Sequence, residues 1–183
     1  MFATFQARAE AVSAEVHRFA TRSEALAFLL DFLRAEGVTD SPGCYAVWAD
    51  CPFLYGIDRA RIAAELPGLR FEVTRETAAA AKIGISQLDF AIAETGTLVQ
   101  DATAVERRLA ATLPTIHIAL VSSREIYPDM AAALRCLRPS QSAYISMITG
   151  PSRTADIERV LTIGVHGPSR LVILFIDSME TSL

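Results

Sequence analysis

Ile116-His117-Ile118-Ala119-Leu120-Val121 and Leu171-Val172-Ile173-Leu174-Phe175-Ile176 decide the fold class, because His117 is the only polar residue in either run. Strand-length runs that stay apolar at every position have both faces buried, as in a parallel sheet covered by helices; a strand open to water on one face alternates instead. Outward from these runs, Tyr45 to Ala49 is another short apolar stretch, set off by the Ser41-Pro42-Gly43 turn. Leu69 to Val73, Leu88 to Ala93, Thr97 to Val99 and Ala143 to Ile148 read as further strands.

Helical patterns lie between them. Phe2, Phe5, Ala9, Val12 and Val16 share one face of a leading helix within residues 1–20, with Val16 to Ala20 open to an extended reading. Thr21-Arg22-Ser23-Glu24 is a capping box in front of the apolar Ala25 to Leu33 run, which Gly37 closes. Ile57 to Leu66, Thr77 to Lys82, Ala104 to Leu113 and Pro128 to Leu137 are the remaining helical candidates. The expected fold is α/β, a three-layer α/β/α domain over residues 1–183 with a mostly parallel sheet.

With 183 residues, 51% of them apolar, the chain can bury the core of one such domain. A net charge of -4 with no basic cluster argues against nucleic-acid binding, which needs a concentrated positive footprint. Lys82 is the only lysine, so it is the only candidate for a Schiff base. Cys44, Cys51 and Cys136 are too far apart for a disulfide framework, a zinc site or a complete iron–sulfur cluster. No apolar run approaches the roughly 20 residues of a membrane span, and no leader pattern opens the sequence, so a cytoplasmic setting is expected.

Chemistry concentrates in two places. Glu94 follows an apolar strand, where open α/β sheets bind their ligands, and Thr95, Gly96 and Thr97 after it add two hydroxyls and a flexible turn. Glu94 is the first catalytic candidate, although a carboxylate there can equally cap the turn or pair with an arginine. The second place is Gly150-Pro151-Ser152-Arg153-Thr154-Ala155-Asp156, a turn with hydroxyls and a guanidinium that can cradle a carboxylate or phosphate if a helix starts near Thr154. It is neither a phosphate-binding P-loop nor a dinucleotide fingerprint. His166, between Gly164 and Gly167-Pro168, is the second catalytic candidate, able to exchange a proton near neutral pH or simply to bridge its loop. His17 and His117 read as scaffold, and three dispersed histidines do not suggest a metal site.

Asp89-Phe90-Ala91-Ile92-Ala93-Glu94-Thr95-Gly96-Thr97, Gly150-Pro151-Ser152-Arg153-Thr154-Ala155-Asp156-Ile157-Glu158 and Gly164-Val165-His166-Gly167-Pro168 together resemble the lactate utilization domain family, in particular its lactate utilization protein C type. The resemblance covers about the last hundred residues. It implies a fold related to glucosamine-6-phosphate deaminase, ribose-5-phosphate isomerase and the CoA transferases. It also implies a cytosolic role in oxidising L-lactate to pyruvate beside two subunits that carry iron–sulfur clusters. No cofactor is then expected in this chain; the expected partners are those iron–sulfur subunits and a small anionic ligand, with self-association left open. Carried over by position, Glu94, Thr95, Gly96 and Thr97 line the site, with Gly150, Ser152, Arg153, Thr154 and Asp156 opposite. His166 and Gly167 close it. Two alternatives stay open: a stand-alone enzyme using Glu94 on a phosphorylated or CoA-linked substrate, and a non-catalytic assembly module.

Overall fold

The computed structural model describes residues 1–138, 140–157, 160–164 and 166–179, the stretches 154–157 and 160–163 as backbone only. In chain order it begins α1 (Phe2–Ala11), β1 (Ala14–Thr21), α2 (Arg22–Ala35), β2 (Tyr45–Trp48), a 3-10 turn (Pro52–Leu54), α3 (Arg59–Glu65), β3 (Leu69–Arg70), α4 (Arg75–Ala79) and β4 (Ala81–Gln87). It continues with β5 (Phe90–Ile92), β6 (Thr97–Asp101), α5 (Val105–Thr112), β7 (Ile116–Ser122), β8 (Ile126–Tyr127) and α6 (Met130–Cys136). The last elements are β9 (Ile145–Ile148), β10 (Arg153–Ile157), β11 (Val160–Ile163) and β12 (Arg170–Ser178).

The two apolar runs are β7 and β12, neighbouring interior strands of a six-stranded sheet ordered β1-β12-β7-β4-β2-β3. Every pair in it is parallel. Alternate side chains serve two different cores, which explains the unbroken apolar pattern. Ile116, Ile118, Leu120, Val172, Leu174 and Ile176 face the layer of α2, the 3-10 turn and α3. Ala119, Val121, Leu171, Ile173 and Phe175 face α1 and a second sheet. α2 opens on the expected box: the Glu24 amide donates to the Thr21 hydroxyl at 3.2 Å and the Glu24 carboxylate accepts from the Thr21 amide at 3.4 Å.

The second sheet, ordered β8-β5-β6-β9, is what the sequence reading did not anticipate. β5 and β6 form an antiparallel hairpin, and β9 pairs antiparallel with β6. One face of this sheet packs on the main sheet through Leu98 and Ala91, the other on α6 through Val99 and Ala133. The α/β architecture with helices on both faces of a parallel sheet holds, with part of one outer layer made of strands.

Other boundaries also move. The leading helix ends at Ala11 rather than reaching Val16, because the chain turns at Ser13, with φ 70, and enters β1 at Ala14. The helix expected over Thr77 to Lys82 is α4, ending at Ala79, after which β4 supplies a central strand the sequence reading missed. β3 is confined to the two residues that pair with β2. No helix begins near Thr154: β10 is a strand, paired antiparallel with β11.

Gly84 explains both why β4 is hard to see and how α5 is placed. A Cβ there would stand 1.9 Å from the carbonyl oxygen of Ala110, so α5 lies directly on the strand. Gly84→Ala is expected to push α5 outward and lower stability by about 1–3 kcal/mol. Urea unfolding checks this, and an unchanged midpoint would show that α5 does not depend on that contact.

Candidate functional site

Antiparallel pairing brings the two motif regions together. β6 begins after the Ala93-Glu94-Thr95-Gly96 turn and β9 ends before Gly150, with Leu98 opposite Ile148, so the two loops leave the small sheet at the same edge. Hydroxyls join them: Thr95 Oγ1 lies 2.7 Å from Thr97 Oγ1, which lies 2.8 Å from Thr149 Oγ1. Both loops also press on the end of α1. Gly96 and Gly150 have φ of +67° and +71°, and a Cβ would meet the Ala9 nitrogen at 2.6 Å or the Val12 carbonyl oxygen at 2.7 Å. Only glycine satisfies both the backbone angle and the approach.

The Gly150 loop is in turn fastened to the Gly164–Pro168 segment. The Ser152 amide donates to the Pro168 carbonyl at 2.8 Å, and the Ser152 carbonyl accepts from the Gly164 amide at 2.9 Å. Gly167 packs against the Ser152 side chain, where a Cβ would come within 3.1 Å. Between these loops, the end of α5 and the first residues of β7 and β12 lies a cleft of about 360 Å³. Gly150, Ser152, Arg153, His166 and Gly167 line it, with Met147, Ile148 and Leu171 supplying apolar wall. Among the described lining residues there is an arginine, two histidines and several hydroxyls, and no carboxylate. A second cleft, of about 380 Å³, shares Thr112, His166 and Gly167 with it. A further cleft of about 340 Å³ between α2 and α3 contains none of the motif residues.

The placement differs from expectation in three respects. The cleft sits at the N-terminal ends of β7 and β12, not at the carboxyl edge of the parallel sheet. Glu94 follows β5, a strand of the small sheet rather than the main one: it is exposed in a hairpin turn, its amide donating to the Pro128 carbonyl at 3.1 Å, and it does not line the cleft. Thr95 is exposed beside it, Gly96 is buried under α1, and Thr97 reaches the cleft wall through Thr149. Arg153 lines the cleft with part of its guanidinium engaged, Nη2 donating to the Val12 carbonyl at 2.7 Å and to the Ser13 hydroxyl at 2.9 Å. Thr154 and Asp156 lie on β10, and their side chains fall outside the described residues, as do Glu158 and Val165 entirely.

His117 is the residue the sequence reading passed over. It lines the cleft, yet only 1% of its surface is exposed. Its Nε2 is 2.9 Å from the Ser86 hydroxyl on β4, and Gln100 Nε2 on β6 donates to the same hydroxyl at 3.0 Å and to the Gln87 carbonyl at 3.0 Å. This polar chain ties both sheets together beneath the cleft. Burial alone pushes the imidazole down to about 4. A histidine inside an apolar strand is weak evidence by itself; the signal available in the sequence was its combination with Ser86 and Gln100, polar residues inside other strands.

Lys82 lies elsewhere, bound by its ammonium to the Glu36 carboxylate at 2.8 Å and the Glu36 carbonyl at 2.6 Å. Arg170 bridges Glu36 and Glu15, and these cations hold both carboxyls below their usual range. No three His, Cys, Asp or Glu side chains converge as a metal site among the described residues. No helix among them is long and apolar enough to cross a membrane.

Comparison with known proteins adds family evidence. The model of the LUD domain matches residues 2–176. A Lactate utilization protein C of Anoxybacillus flavithermus is 38% identical over 102 residues, covering 55% of this chain and 46% of that protein. A Lactate utilization protein C of Bacillus subtilis is 35% identical over 103 residues, covering 53% of this chain and 43% of that protein. The chain therefore spans about half the length of the curated relatives it matches. A crystal structure of a DUF162 family protein from Deinococcus radiodurans superposes with a TM-score of 0.63 at 18% identity, covering 96% of this chain and 95% of that one, and supports the fold.

The buried imidazole also sets an acid limit. Its ordinary value is 6.5 and its folded value about 4, so between those pH values the unfolded chain binds the extra proton. Stability contributed by neutral His117 is present above about pH 6.5 and is lost as pH falls toward 4, on the order of 3 kcal/mol in all. Unfolding midpoints measured across that window should fall more steeply for the wild type than for His117→Gln; parallel curves would show that His117 ionises freely.

Proposed function

The chain belongs to the LUD domain family, and from that premise we propose that it is a lactate-utilization component whose Gly150–Gly167 cleft binds a small carboxylate. The carrying observation is the cleft's chemistry: Arg153, His117, His166 and hydroxyls beside apolar wall, without a carboxylate among the described lining residues. Such a site favours an anion with a short apolar body. The part of the Arg153 guanidinium not engaged with Val12 and Ser13 takes the carboxylate, and exposed His166 exchanges the hydroxyl proton.

Oxidising L-lactate to pyruvate removes two electrons and two protons. In this proposal the chain binds the acid and His166 takes the hydroxyl proton, while the Cα proton and both electrons would leave to partner subunits in the cytoplasm, the electrons to their iron–sulfur centres. The name shared by the curated relatives supports lactate as the context. Glu94, exposed on the hairpin outside the cleft, is available to a partner subunit.

Two measurements test this. A strain deleted for the chain should lose growth on L-lactate while growing on glucose, with rescue by the wild-type chain; normal growth of the deletion on lactate would remove the pathway assignment. By calorimetry, His166→Ala should weaken L-lactate or pyruvate binding roughly tenfold. Equal affinity in wild type and variant would take His166 out of the site.

A further inference from the structure

Hydrogen-bond direction in the buried chain below the cleft can be worked out residue by residue. The Gln87 carbonyl can only accept, so the Gln100 atom 3.0 Å from it is the amide nitrogen. That nitrogen also donates to Ser86 Oγ at 3.0 Å. Ser86 therefore receives a hydrogen from Gln100, and its own hydrogen has one acceptor in reach, His117 Nε2 at 2.9 Å. The opposite assignment, with Nε2–H donating to Ser86, would leave the Ser86 hydrogen buried without an acceptor, since Ser86 is fully buried. In the neutral ring Nε2 is thus the acceptor and Nδ1 carries the proton.

Nδ1 has no hydrogen-bond partner among the described residues, it is not among the sealed polar atoms that lack one, and His117 lines the cleft. An N–H on an otherwise buried ring that is neither paired nor sealed in is open to an acceptor entering the cleft. The geometry points to His117 as the ligand-recognising group of the cleft floor: a neutral Nδ1–H donor, held in one tautomer by Ser86 and Gln100, for a carboxylate or carbonyl oxygen of a small acid. It deepens the carboxylate-binding reading, on which it rests for the choice of cleft.

An uncharged donor differs in kind from Arg153. It attracts a carbonyl oxygen as readily as a carboxylate, and it strengthens as negative charge gathers on that oxygen, without a buried cation to neutralise. Burial lowers the imidazole to about 4, so at pH 7 the donor is neutral while L-lactate and pyruvate are anions. Ser86 and Gln100 are positioning residues: they touch the imidazole, not the ligand.

The test is a long-range proton–nitrogen spectrum of the full chain labelled with nitrogen-15 histidine, at pH 7, with His117 assigned by its loss in His117→Gln. The expected free protein shows His117 with protonated Nδ1 and unprotonated Nε2. Sodium L-lactate, pyruvate, acetate and inorganic phosphate are then added separately, and the Nδ1 resonance should move with L-lactate or pyruvate while the tautomer is kept. Ser86→Ala should mix the tautomers and weaken that ligand about tenfold while the fold, read from the amide spectrum, is retained. An Nε2–H tautomer in the free protein overturns the inference, as does an Nδ1 resonance that none of the four additions moves. If L-lactate or pyruvate binds by calorimetry without moving Nδ1, the inference falls and the carboxylate reading survives. If only acetate or phosphate moves it, His117 keeps its role and the lactate reading falls.

Discussion

The close seating of two glycine turns against the end of α1 is the constraint on which the cleft depends. Gly96 and Gly150 come from loops more than fifty residues apart, yet each brings its backbone within what would be a clash distance for any side chain. With that contact made, β6 and β9 pair in register, Thr97 and Thr149 meet, and the Gly150 loop is held where Ser152 can lace it to Pro168 and Gly164. Arg153 fastens the same corner from outside by bonding Val12 and Ser13. The cleft is therefore a product of backbone proximity first and of side-chain chemistry second.

The same economy of space explains the polar chain. A small mixed sheet laid on a parallel sheet buries strand positions that would otherwise face a helix, and Ser86, Gln100 and His117 occupy three of them. Buried polar groups are tolerated when they satisfy one another. Gln100 Oε1 is buried without a partner among the described residues; its amide nitrogen carries the linkage. The cross-sheet connection thus gives the two layers a fixed register where an apolar interface alone would tolerate sliding.

Much of the architecture was legible because β7 and β12 are apolar at nearly every position, which only a doubly covered strand requires. The capping box at Thr21 and Glu24 marked α2 for an equally local reason. β4 was not legible: Gly84 and Ser86 interrupt its apolar pattern, the first to admit α5 and the second to meet His117. Leu88 to Ala93 was correctly extended, but nothing local distinguishes a strand of the main sheet from one arm of a hairpin in another sheet, and so the strand that delivers Glu94 was assigned to the main sheet. Gly150, Ser152, Arg153, His166 and Gly167, from two motifs, line one cleft. His117 was missed because its chemistry depends on partners from two other strands.

The strand order has a consequence for how the molecule is made. β12 lies between β1 and β7, so the first strand of the main sheet has no neighbour in it until residues 170–178 have left the ribosome. Until then β1 and the edge of β7 that faces it across the gap present unpaired backbone. Docking of β12 closes both edges in one event and completes the wall bearing Leu171, so the last strand inserted is also the one that finishes the cleft. During synthesis the sheet therefore holds a hydrophobic slot waiting for a segment still to be translated.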